Sequence, residues 1–109
     1  MKKSISLVGM AGAGKSSIGK QLADYLGFGF IDSDSLIETE HQESLQRVLD
    51  KFGRENFLKI EEKALMSIEF NNTVLATGGS AIFSELAMGY LKSRSSIIFI
   101  KVPYNKIVA

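Results

Sequence analysis

The chain has 109 residues, 45% hydrophobic and 23% charged, and its 13 basic and 12 acidic side chains leave a net charge of +1. That is the composition of one small globular domain, and so even a balance supplies no field to gather nucleic acid or an anionic membrane. The absence of cysteine excludes a disulfide framework and thiolate metal sites, and it suits a reducing, cytoplasmic setting.

At the amino end, Met1-Lys2-Lys3 is followed by an apolar run too short for a membrane span, with no small-residue cleavage site, so no signal peptide is expected. Ser4 to Val8 reads as a buried parallel strand. It runs into Gly9-Met10-Ala11-Gly12-Ala13-Gly14-Lys15-Ser16, which fits G-x-x-x-x-G-K-[ST]. Glycines at 9, 12 and 14 let the backbone curl until successive N–H groups face one concavity that a phosphate chain can fill. The helix that opens at the loop turns its unpaired amides and positive dipole end toward the same anion. Lys15 adds a mobile charge for the terminal phosphates, and the Ser16 hydroxyl is placed to ligate Mg²⁺. The stretch is read as a nucleotide-phosphate binder.

From Gly14 to about Leu26 the pattern is helical, with Ile18, Leu22, Tyr25 and Leu26 on the face expected to be apolar, and Gly27 as C-cap. Phe28 to Ile31 is a second strand, delivering Asp32 and Asp34 at its end. A helix begins near Ser35, where Ser35 and Glu38 have capping-box spacing. A polar helical stretch, Glu43 to Phe52, breaks at Gly53. Arg54 to about Phe70 makes a longer helix that turns Phe57, Ile60, Ala64, Leu65 and Ile68 to the core. After the Asn71-Asn72 turn, Thr73 to Ala76 is a third strand leading into Thr77-Gly78-Gly79-Ser80. A helix from about Ile82 to Leu91, a loop from Lys92 to Ser95, a fourth strand from Ile97 to Val102 and a helix start at Pro103 complete the chain. Strand and helix alternate, which predicts an α/β fold: a parallel sheet with helices on both faces and ligands beyond the carboxyl ends of its strands.

Three polar clusters fall at those ends: the Gly9 to Ser16 loop, Asp32 with Asp34, and Thr77 to Ser80. A kinase needs one carboxylate near Mg²⁺ and another to orient or deprotonate the attacking hydroxyl. In an extended segment Asp32 and Asp34 point to the same side; the plainer reading makes Asp34 a helix N-cap and Asp32 a turn residue. Gly78-Gly79 is either a tight turn or a place where substrate lies against bare amides. Glu61 falls among Phe57, Ala64, Leu65 and Ile68, an expensive place for a carboxylate unless it is paired or reaches the rim. His41 reads as exposed surface, and Lys92 and Arg94 as ordinary loop charge.

The chain resembles the shikimate kinase family of P-loop, nucleoside-monophosphate-kinase-like proteins. The likeness rests on Gly9 to Ser16, on Phe30-Ile31-Asp32-Ser33-Asp34 with Ile37-Glu38, on Gly53 with Phe57 and Glu61, and on Leu75-Ala76-Thr77-Gly78-Gly79. The resemblance implies a P-loop three-layer α/β/α fold with strand order 2-3-1-4, and transfer of the ATP γ-phosphoryl group to the 3-hydroxyl of shikimate, on the route to aromatic amino acids; a monomer working without nucleic acid or membrane is expected. It implies that ATP lies on Gly12, Ala13, Gly14, Lys15, Ser16 and Ser17. Ser16 and Asp32 would serve Mg²⁺, Asp34 would bind the shikimate hydroxyls and act in catalysis with Lys15, and Gly78 and Gly79 would line the ring.

Three departures stand against that pattern. Leu58 replaces the family's carboxylate-clasping arginine, and that contact is worth at least a few kcal/mol; Arg54, one turn earlier on the same helix face, is the candidate replacement. Ser80 stands where the family has a third glycine. Family members also continue past this point with an arginine-bearing lid, so the 109 residues read as a fragment or a shortened homologue. The alternatives are a P-loop kinase for another hydroxylated metabolite and a catalytically weak nucleotide-binding module.

Overall fold

The computed structural model describes residues 3–9, 14–79, 81 and 84–100. In chain order the elements are β1 (Ile5–Gly9), α1 (Lys15–Leu26), β2 (Gly29–Asp32), α2 (Ser33–His41), α3 (Leu45–Met66), β3 (Thr73–Ala76), α4 (Glu85–Arg94) and β4 (Ser96–Ile100). The strands form one four-stranded sheet in the order β2-β3-β1-β4. Every pairing is parallel: Leu7 lies opposite Ala76 and Ile98, and Asp32 opposite Ala76. The predicted fold class, strand order and parallel sense all hold.

Helices cover both faces. On one, α1 packs Ala23 onto Leu7 and Val74, with Phe28 and Phe30 closing the sides. On the other, Leu65, Ile68, Leu75, Ala87 and Leu91 form the core beneath α3 and α4. A third cluster, Ile37, Val48 and Ala64, joins α2 to α3. Within α3, Gly53 has non-helical angles (φ 81, ψ 163), so two helices meet there at a kink where the sequence predicted a break.

Several boundaries and faces differ from expectation. The buried stripe of α1 is Lys15, Gly19 and Ala23, whereas Tyr25 is 88% exposed and Ile18 and Leu26 are also exposed. Gly19 explains the rotation: a Cβ there would sit 2.6 Å from the Phe30 ring, so α1 lies on the sheet by its smallest residues. α2 starts at Ser33, not Ser35, because the Asp32 side chain caps it. The Ser35–Glu38 capping box is absent; Glu38 Oε2 instead accepts from the Leu45 N–H at 2.7 Å, at the start of α3. Helix α3 ends at Met66, short of Phe70. Helix α4 starts at Glu85, capped by Ser84, and carries on through Lys92 and Arg94, which are therefore helical and not loop residues. His41 is half-buried, its Nδ1 3.0 Å from the Ile37 carbonyl and its ring edge-on to Phe52. Ile82, and the chain from Lys101 through Pro103 onward, lie outside the described residues.

Candidate active site

Strand β1 is apolar and central, so its carboxyl end is fixed from both sides, and α1 leaves that end after the loop. Gly12 and Ala13 lie outside the described residues, while Gly14 adopts φ 80 immediately before α1. Gly14 offers no side-chain cap, so the leading amides and dipole of α1 face forward, with Ser17 exposed in the first turn. Lys15 is only 7% exposed, and its ammonium donates to the Gly9 carbonyl at 2.8 Å. Burial lowers its pKa from the ordinary lysine value, against the opposing pull of Asp34, Asp32 and Glu61. One cation and these carboxylates thus share a single electrostatic neighbourhood.

The end of β2 supplies the acids. The Ser16 hydroxyl donates to Asp32 Oδ2, joining α1 to β2 through two hard oxygen donors. Asp32 Oδ1 accepts from the Asp34 N–H at 2.9 Å and the Ser35 N–H at 3.3 Å. Asp32 is therefore the N-cap and Asp34 sits in the first helical turn, the reverse of the plainer sequence reading. Nor do the two lie on one extended segment: the chain is extended at Asp32 and helical from Ser33. Asp34 is half-buried. Burial, then the neighbouring Asp32 charge, raises its pKa, with Lys15 opposing and Glu38 adding to the rise.

The end of β3 completes the cluster. Thr77 turns inward, its N–H and hydroxyl both donating to the Leu7 carbonyl, at 3.1 and 2.9 Å. The Gly78 N–H donates to Ser33 Oγ at 3.0 Å. That amide is thus not bare, and the surface Gly78 offers is its Cα face. A Cβ on Gly78 would collide with Glu61 Oε2 and lie 2.7 Å from Asp34 Oδ1, so these two carboxylates meet across the missing side chain. Gly79 is half-buried beside it, and Ser80 lies outside the described residues. Glu61 is 3% exposed, which rules out the rim position. The wheel position of Glu61 marks it as odd in the sequence; Ser33 stands there only as the middle of the Asp-Ser-Asp motif, with no role assigned to its hydroxyl.

Arg54 is exposed, at the first position after the Gly53 kink. It is not among the charges acting most strongly on Asp34 or Lys15. Leu58 is half-buried and, with Lys59, Glu61, Glu62, Leu65 and Ser84, lines a cavity of about 110 Å³ between α3 and the start of α4.

The donor set suits Mg²⁺. A hydroxyl and a carboxylate are hard oxygen ligands, and Mg²⁺ in phosphate-transfer sites takes only one or two protein groups beside water and phosphate.

Residues 11–109 match the family described as shikimate kinase. A shikimate kinase of Histophilus somni is 41% identical over 106 residues, covering 96% of this chain and 61% of that protein. Among solved structures, shikimate kinase from Acinetobacter baumannii in complex with shikimate is similar with a TM-score of 0.86 and 35% identity, over 94% of this chain and 58% of that one. The Aquifex aeolicus shikimate kinase has a TM-score of 0.87 and 31% identity, over 96% of this chain and 63% of that one. The chain therefore spans about three-fifths of the length of the relatives it matches.

Proposed function

The chain belongs to the shikimate kinase family, and from that premise we propose that it is the nucleotide- and acceptor-binding core of an ATP-dependent kinase that phosphorylates the 3-hydroxyl of shikimate. The observation that carries the reading is the convergence of Lys15, Asp32, Asp34 and Gly78 at the carboxyl ends of three adjacent parallel strands. In this reading Lys15 and the amides from Gly12 to Ser17 bind the phosphates of ATP. Ser16 and Asp32 would hold Mg²⁺, whose role is to neutralise phosphate charge. Asp34 takes the hydroxyl proton as the acceptor oxygen bonds to the γ-phosphorus and the bond to the leaving ADP oxygen breaks. A carboxyl held above its usual range by burial is a stronger base than an exposed one, which suits that step. Gly78 and Gly79 give the ring a flat floor, and Arg54 receives the substrate carboxylate. The protein works as a cytoplasmic monomer on small molecules; no helix among the described residues is long and apolar enough to cross a membrane.

A second reading is supported by Leu58. It lines the cavity beside Glu61, and leucine cannot form a paired contact with a carboxylate. In that reading the acceptor is a hydroxylated metabolite without an acid group. A coupled assay of ADP release with shikimate and a panel of neutral polyols separates the two. Shikimate-dependent turnover that falls at least about tenfold in Arg54→Ala supports the first. Turnover with a polyol alone, unaffected by Arg54→Ala, supports the second.

A further inference from the structure

The ladder between β2 and β3 ends at the Asp32–Ala76 pair. Beyond it β2 turns into α2, while the chain after β3 leans the other way, with the Thr77 N–H given to Leu7 on β1. No further rung of the sheet is available to set how far Gly78 stands from Asp34. Ser33 lies in that gap. It is 0% exposed, it sits between the two aspartates at the first residue of α2, and its Oγ accepts the Gly78 N–H at 3.0 Å. One side-chain hydrogen bond therefore stands in for the missing rung. It ties the start of α2 to the glycine across which Asp34 and Glu61 meet.

We propose that Ser33 is the positioning residue of the acceptor site: its hydroxyl fixes the Gly78 peptide against Asp34 and so sets the width of the space that receives the acceptor hydroxyls. It touches neither nucleotide nor acceptor and acts through Gly78. This rests on the reading of Asp34 and Gly78 as acceptor-binding residues. A buried N–H left without a partner is costly, so the peptide in a Ser33→Ala variant turns or opens to water. Lys15, Ser16 and Asp32 keep their own contacts, and nucleotide affinity is expected to stay the same.

The test compares the intact chain with Ser33→Ala and Ser33→Thr. Amide hydrogen exchange at Gly78 is read against the β3 amides as an internal reference, and calorimetry gives the affinities for Mg·ATP and for shikimate. The expected result is Gly78 exchange at least about tenfold faster in Ser33→Ala with the β3 amides unchanged, restored toward wild type in Ser33→Thr. Shikimate affinity falls about tenfold while Mg·ATP affinity stays within about twofold. Unchanged Gly78 exchange in Ser33→Ala overturns the proposal, as does an equal weakening of both ligands. If the wild type binds Mg·ATP but not shikimate, the shikimate reading of the site fails, and the Gly78 exchange alone decides whether Ser33 sets this geometry.

Discussion

Asp34 carries a charge that the fold would rather not hold. Burial and the adjacent Asp32 raise its pKa, and a carboxyl raised in the folded state stabilises that state only while protonated. Its favourable contribution is complete below the ordinary carboxyl range and is lost as pH rises through the raised value. At neutral pH the ionised form is therefore a net cost to the fold. Asp34→Asn is expected to raise the melting temperature by a few degrees at pH 7, and the gain should vanish at about pH 3, where wild-type Asp34 is also neutral. Thermal scans at both pH values check this, and a variant melting lower than wild type at pH 7 would contradict the assignment. The same variant should bind no acceptor alcohol. Gly78 answers to a different constraint, since a Cβ would meet Asp34 and Glu61. Gly78→Ala is expected to cost about 1–3 kcal/mol by overpacking and to abolish acceptor binding; urea denaturation and calorimetry measure the two effects.

At the scale of elements, two glycines separate packing from backbone strain. Gly19 of α1 lies against Phe30 and Leu7, so Gly19→Ala should lift the helix off the sheet at a cost of about 1–3 kcal/mol. Gly53 has open space around it but φ 81 and ψ 163, a region essentially closed to other residues. Gly53→Ala should cost a similar ~1–3 kcal/mol through strain alone. Because Arg54 follows that kink, it should also weaken carboxylate-bearing ligands more than neutral polyols. Equal stability of wild type and Gly53→Ala in urea would show that the kink is not required. These two positions also show what patterning conveys. The Gly53 break was legible because glycine interrupts a helical run. The face of α1 was not, because the apolar residues Ile18, Tyr25 and Leu26 outweigh the small ones in the pattern, while contact with the sheet selects Gly19 and Ala23.

Across the whole molecule, alternation of strand and helix was enough to yield a parallel sheet covered on both faces, because such crossovers have few solutions; the strand order came with the family resemblance. The phosphate loop and the acids were legible as motifs, since backbone and charge requirements confine those residue types. What stayed hidden depends on long-range geometry: Glu61 and Asp34 meeting across Gly78, and Ser33 reaching Gly78 from 45 residues away. Capping also escaped, since Asp32 and Ser35 are both good caps by type and only the end of β2 decides between them. The uncharged strand β4 is one of the two edge strands among the described residues, with Phe99 61% exposed. At the opposite edge β2 ends in the acidic cluster, so the polar groups of the candidate site gather at the ends of β1, β2 and β3.

In the proposed site, Lys15 and the leading amides of α1 grip a polyphosphate whose cation is shared with Ser16 and Asp32. Calorimetric titration of the chain with Mg·ATP measures that grip. A saturable one-site heat is expected, weaker by at least about tenfold in Lys15→Ala and lost when Mg²⁺ is chelated in Asp32→Asn. A flat titration of the folded wild-type chain, or heats identical in wild type and Lys15→Ala, would contradict it.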